Sequence, residues 1–151
     1  MSTVTSFITY ESKAYEAAQL YVSLIRNSRI TGSIPGPNGS FSMVFFELDG
    51  RPYTAMNGGE SFRFSSGFSL FVEAQDQEEV DRIWNGLVAG GGAEGPCGWL
   101  TDKFGLSWQI IPKRFMELAS HPDQAISGKV FNAMRSMKKL IVAELEAAAN
   151  S

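Results

Sequence analysis

The feature that most constrains this 151-residue chain is an internal repeat. A displacement of 63 positions carries Ala17 onto Val80, Leu20 onto Ile83, Tyr21 onto Trp84 and Leu24 onto Leu87, so two distant segments present the same apolar helical face. The same displacement sets Ser6 on Ser69 and Ile8 on Phe71. Further along the fit needs a displacement of 55, which places Gly50 on Gly105, Tyr53 on Trp108, Thr54 on Gln109 and Ala55 on Ile110. Loop lengths account for the change. A chain that runs strand, helix and three strands twice over is expected to fold as two like modules.

The local patterns agree. VTSFITY (4–10) is rich in β-branched and aromatic residues and reads as a strand; the helical period then holds from Lys13 to Leu24 and breaks at Asn27 and Ser28. SRITGSIPG and SFSMVFFELDG read as strands separated by a PGPNGS turn, and Asp49-Gly50 is the hairpin turn before RPYTAMNGG. Gly58 and Gly59 form a flexible joint. In the second half GFSLFVEAQ (67–75) is a strand. Asp76 is an N-cap with Glu79 three residues on, and AGGG ends the helix as a flexible connector. GPCGWLTDKFG and LSWQIIP then make a hairpin. After Pro112, PKRFMELAS is a short helix, and DQAISGKVFNAMRSMKKLIVAELEAAAN holds one long helix or two shorter ones. Its stripe of Val130, Phe131, Met134, Met137, Leu140, Ile141 and Leu145 needs a surface, either its own barrel or a partner subunit. The expected fold is α+β, a single domain over 1–151. Module one covers about 3–59, module two about 64–112, and a C-terminal helical region 113–151.

Charge and composition exclude several classes. The net charge of −3 and the lack of any Lys/Arg cluster leave no electrostatic footprint for nucleic acid or an anionic membrane. No apolar run approaches the ~18 residues of a membrane span, and MSTVTSFITYES lacks the basic start and apolar core of a signal peptide. The lone Cys97 forms no internal disulfide, which suits a reducing cytoplasm, and no activating partner stands near it in sequence. The Gly90–Gly92 run follows a helix, whereas phosphate-cradling loops precede one.

The runs YEAAQLYVSLIRNSRI, LDGRPYTAMNGGESFRFS, FSLFVEAQDQEEVDRIWNGL and CGWLTDKFGLSWQIIPKRF resemble the PhnB-like family. That family is also labelled 3-demethylubiquinone-9 3-methyltransferase-like and lies within the vicinal oxygen chelate (glyoxalase and bleomycin-resistance) superfamily. MNGG and GWLTDKFGLSWQIIP are the most specific pieces. The resemblance implies two βαβββ modules whose sheets curl into a cup with helices outside, usually in a homodimer. FITYESKAYEA is more polar than the family's usual opening.

Strand alternation then assigns faces. On the last strand Leu106, Trp108 and Ile110 belong beneath the helices, so Gln109 looks into the cup with Ser107 and Ile111. Thr54 and Met56 look inward on the matching strand, and Ser6 and Ser69 begin the inward rows of the two opening strands. The resemblance implies that metal-dependent relatives converge two histidines and two acidic residues on one ion. This register offers Ser6, Ser69, Thr54 and Gln109 instead, and neutral hydroxyls and an amide do not displace the water of a divalent cation. The only histidine, His121, lies in SHPD beyond the barrel. The expectation is a site without metal or cofactor.

What remains is a few hydrogen-bonding groups on an apolar wall, suited to a small neutral or weakly polar organic ligand. Alternatively those groups satisfy one another inside a filled barrel. Trp99 and Phe45 are the aromatic candidates for ligand contact. Glu47, the one carboxylate in an apolar strand that also carries Phe41, Met43 and Phe45, is the candidate general base, unless it reaches solvent at the strand end. Two functional classes stay open: a metal-independent enzyme using Glu47, and a binding or sequestering protein. Methyl transfer, as in the family label, is a third, but no glycine-rich strand-to-helix turn of the usual S-adenosylmethionine fold is present.

Overall fold

The computed structural model describes residues 2–37 and 41–151. The expected PGPNGS turn therefore falls partly outside the described residues, as does the side chain of Phe41. The α+β class and the two βαβββ modules are present, followed by C-terminal helices. The chain divides into two compact units, Met1–Arg63 and Phe64–Ser151.

In the first unit β1 (Ser6–Tyr10), α1 (Ala14–Leu24), β2 (Arg29–Pro35), β3 (Phe41–Leu48) and β4 (Arg51–Asn57) build one four-stranded sheet in the order β1-β4-β3-β2. β1 runs parallel to β4, and the other pairs are antiparallel. Asp49 and Gly50 both take positive φ, 50° and 74°, as a two-residue primed hairpin turn requires. Ile8, Tyr10, Val44, Phe46, Leu48 and Ala55 are buried on one sheet face against Ala14, Ala17, Ala18 and Tyr21 of α1. Three alanines let the helix lie close to the sheet, and Tyr21 fills the remaining space beside Phe46, its hydroxyl 2.9 Å from that of Tyr10. Lys13 supplies no side-chain cap, and Asn57 Oδ1 accepts from the Ala14 N–H instead.

The second unit repeats the plan with β5 (Ser69–Ala74), α2 (Gln77–Val88), β6 (Ala93–Glu94), β7 (Trp99–Thr101) and β8 (Ser107–Pro112) in the order β5-β8-β7-β6, β5 parallel to β8. The two-residue β6 is too short to leave a pattern in the sequence. Asp76 caps α2 as expected, accepting from Glu79 N–H at 2.9 Å, while the Glu79 carboxylate accepts from the Gln75 N–H at 3.3 Å. Leu70, Leu100, Trp108 and Ile110 are buried together with Val80, Ile83, Trp84 and Leu87 of α2.

Both glycine joints are firmer than the sequence suggests. Gly58 and Gly59 donate to the carbonyls of Tyr10 and Glu11, and a Cβ on Gly58 would stand 2.4 Å from Thr9 Cγ2. A Cβ on Gly92 would meet Val88 Cα at 2.6 Å and the Thr101 carbonyl at 2.7 Å. These positions need glycine for close approach, not for freedom.

The C-terminal region folds as α3 (Lys113–Ala119), α4 (Gln124–Arg135) and α5 (Val142–Ala149), so the longer stretch holds two helices. Between them Met137 and Lys138 give their carbonyls to the N–H groups of Cys97 and Gly98, both at 2.8 Å, and a continuous helix would have consumed them. Ile111, Phe115, Leu118, Val130, Met137, Leu140 and Leu145 form a buried cluster. Val130, Met137, Leu140 and Leu145 of the apolar stripe are therefore covered within the second unit, while Phe131 stays 39% exposed.

Candidate functional site

In each sheet the residues that alternate with the buried row point away from the helix. In the first unit that row on β4 is Thr54 and Met56, since Ala55 is fully buried beneath α1. Thr54 lies directly between Phe7 of β1 and Phe45 of β3. Glu47 shares the β3 row with Phe45 at the hairpin end. Arg29 Nε donates to Glu47 Oε1 at 2.8 Å, and this hydrogen bond, more than the accompanying charge attraction, raises the already high pKa of the exposed arginine.

In the second unit Gln109 lies directly between Phe71 of β5 and Trp99 of β7. Its Nε2 donates to Ser69 Oγ at 3.0 Å. Trp108, as expected, points the other way and is buried, with Nε1 donating to Asp102 Oδ2 at 2.9 Å. Asp102 Oδ1 also accepts from the N–H groups of Phe104 and Leu106, which fixes the turn that delivers β8. The amide in the middle of SWQIIP thus reaches the face turned away from α2 and has a partner there; of its expected row-mates, Ser107 is buried and Ile111 packs with the C-terminal helices, so that face is open only in part.

Ser69, Trp99 and Gln109 are brought together on one face, as are Phe45, Glu47 and Thr54 on the other sheet. Ser6 is not among them. It is in phase with Ile8 and Tyr10, on the face that packs beneath α1, and its strand partner is Tyr53. The cause is the connection from β1 to α1, Glu11 to Lys13, which is one residue longer than Gln75-Asp76 between β5 and α2. The helices are related by a displacement of 63 but the opening strands by 64, so Phe7, not Ile8, corresponds to Phe71 and Thr5 corresponds to Ser69. A slip of one residue exchanges the faces of a strand. Phe7 escaped the sequence reading for this reason; for Phe71 the available signal was its phase with Ser69 two residues earlier.

Among the described residues no group of three or more His, Cys, Asp or Glu side chains is gathered as a metal site. His121 Nδ1 accepts from the Asp123 N–H in the turn before α4. No helix among the described residues is long and apolar enough to cross a membrane.

Two βαβββ modules, each with one sheet face under its helix and the other turned away from it, define a protein of the glyoxalase/bleomycin-resistance fold, in the vicinal oxygen chelate superfamily. The sequence pattern of the 3-demethylubiquinone-9 3-methyltransferase family matches residues 2–111, and the chain belongs to that family as a PhnB-like member. Its sequence is 28% identical to the PhnB protein of Bacillus cereus over 74% of this chain and 99% of that one, with a TM-score of 0.66. PA1353 of Pseudomonas aeruginosa shares the fold at 15% identity and a TM-score of 0.61, over 74% and 98% of the two chains. So does the fosfomycin resistance protein FosX of Listeria monocytogenes, solved as a point mutant with Mn(II) and 1S,2S-dihydroxypropylphosphonic acid. That match has 22% identity and a TM-score of 0.53, over 74% and 93%. No curated protein matches the chain. The family pattern ends at residue 111, so α3 to α5 lie beyond it.

Proposed function

We propose that this protein binds a small, uncharged organic molecule on the sheet faces turned away from its helices, without a metal ion, and acts as a homodimer. The observation that carries this reading is the Gln109–Ser69 hydrogen bond beside Trp99 on the uncovered face of the second sheet. A carboxamide held in an apolar setting stabilises the fold less than leucine would, since an amide imperfectly paired there costs about 1–3 kcal/mol. Ser69 occupies one N–H of Gln109, and in this reading the amide oxygen accepts from the ligand.

Donor chemistry supports a metal-free site. Apart from Glu47 and Glu73, one to each sheet, the faces turned away from the helices offer hydroxyls, an amide and aromatic rings where metal-dependent relatives are expected to bring imidazoles and carboxylates, and such a set holds a divalent cation poorly. Methyl transfer finds no support in the strand-to-helix connections, because neither Glu11–Lys13 nor Gln75-Asp76 contains the glycine that lets a backbone approach a nucleoside cofactor. A second reading, turnover with Glu47 as general base, is favoured by the position of that carboxylate on the same face of β3 as Phe45, with one oxygen engaged by Arg29.

The test is a screen of small neutral compounds by tryptophan fluorescence. Trp84 and Trp108 are 1% exposed, so quenching by a bound compound reports on Trp99. Saturable quenching in the wild type that weakens about tenfold in Q109L supports the reading. Equal affinity in both proteins would move the site elsewhere, and one equivalent of metal per chain in purified protein would overturn the metal-free part. Conversion of the bound compound by wild type but not by E47Q would favour the enzyme.

A further inference from the structure

The two uncovered faces carry the same three-residue row. In the first sheet Phe7, Thr54 and Phe45 stand side by side on β1, β4 and β3; in the second, Phe71, Gln109 and Trp99 stand side by side on β5, β8 and β7. Each row places one neutral hydrogen-bonding side chain between two aromatic ones. The exposures repeat as well: Phe7 and Phe71 are each 51% exposed, while the other four residues are half-buried.

From this repeated row, and resting on the small-molecule reading above, we infer that the ligand is a planar, uncharged conjugated ring bearing a carbonyl or hydroxyl, lodged over Gln109 or Thr54 between the flanking aromatics. The flanking side chains are two strand spacings apart, about 10 Å, which admits one ring system between them. Aromatic side chains reward a flat partner with stacking beyond the area it buries. The central residue reads the heteroatom: Gln109 donates and accepts, and Thr54 does the same through one hydroxyl. No charged side chain stands in either row. The nearest carboxylate in the first sheet, Glu47, is two residues along β3 and ion-paired with Arg29; in the second it is Glu73, two along β5. An anionic ring would therefore meet no compensating cation in either row.

The probe is 2-quinolone, a planar neutral lactam, compared with its saturated decahydro analogue and with quinoline-2-carboxylate by isothermal titration calorimetry on the full chain. The lactam should bind at least about tenfold more tightly than the saturated compound, which keeps the polar group and loses the plane. The carboxylate should bind more weakly than the lactam. F7L and F71L, apolar replacements at half-exposed positions, should each weaken lactam binding about fivefold while near-ultraviolet circular dichroism stays unchanged. Equal affinity for planar and saturated lactam, or preference for the carboxylate, would overturn the inference and leave the broader reading standing. Absence of lactam binding at millimolar concentration would also overturn it, and alongside a ligand from the neutral-compound screen it would do so without touching that reading. If F71L instead weakened self-association without affecting the lactam, the row would be a subunit contact and the inference would fail.

Discussion

Asp102 shows how much one side chain can organise. It is 2% exposed and accepts from the main-chain N–H groups of Phe104 and Leu106 and from the indole of Trp108, so it holds both the turn and the first core residue of β8. D102A removes an acceptor shared by three N–H donors, two of them in buried hydrogen bonds, and should cost about 3 kcal/mol in urea unfolding. D102N keeps the shape but sets an NH2 against at least one of those donors, and should cost about 1–3 kcal/mol. At this scale the sequence was legible where alternation alone decides. The opposite facing of Gln109 and Trp108 follows from strand period once LSWQIIP is read as a strand. Ser6 was misplaced because a face is fixed only after the register is, and register passed through a loop whose extra residue leaves no mark on either apolar pattern.

At the scale of elements, the docking of the C-terminal region onto α2 was not legible. Its apolar stripe announced a buried face but not which surface would cover it. The structure resolves this through polar groups that carry no periodicity: Gln77 donates to the Leu140 carbonyl and accepts from the Val142 N–H, and Lys139 reaches Asp81 at 3.2 Å and Asn85 at 3.0 Å. The hydrogen bond from Gln77 is the main cause that holds the Asp81 carboxyl below its usual value of 3.8; burial opposes it, and the bond and charge of Lys139 add to it to a lesser degree. A carboxyl whose pKa is lowered by folding contributes stability above its unfolded value and loses it as the pH falls through the folded one. D81N should therefore lower the melting temperature at pH 7 by about 1–3 °C, a modest effect for an exposed pair. The difference should vanish by about pH 2. A deficit that persisted in acid would trace the loss to shape and not to charge.

For the whole molecule, the duplicated order of elements was the most legible property, since seven of the eight strands and both module helices follow from period and turn residues in 112 positions. The exception is β6, too short for a pattern. Each sheet also ends in strands with a neighbour on one side only, β1 and β2 in one and β5 and β6 in the other. β2 exposes most of its length, including Ile34 at 47%. Uncovered edges of this kind favour pairing between copies. Sedimentation equilibrium should accordingly report a species of about twice the 16.5 kDa chain; a monomer at micromolar concentration would remove the homodimer from the proposal.

The grip of Cys97 and Gly98 on Met137 and Lys138 is made of peptide groups, which every residue but proline shares. Side-chain replacement at those two positions removes neither acceptor, so a substitution at Lys138 leaves the two bonds standing, whereas one at Met137 spares them and is felt instead in the apolar cluster it helps to fill. The bend is thus indifferent to side-chain chemistry at its oxygens and selective for it in the packing behind them.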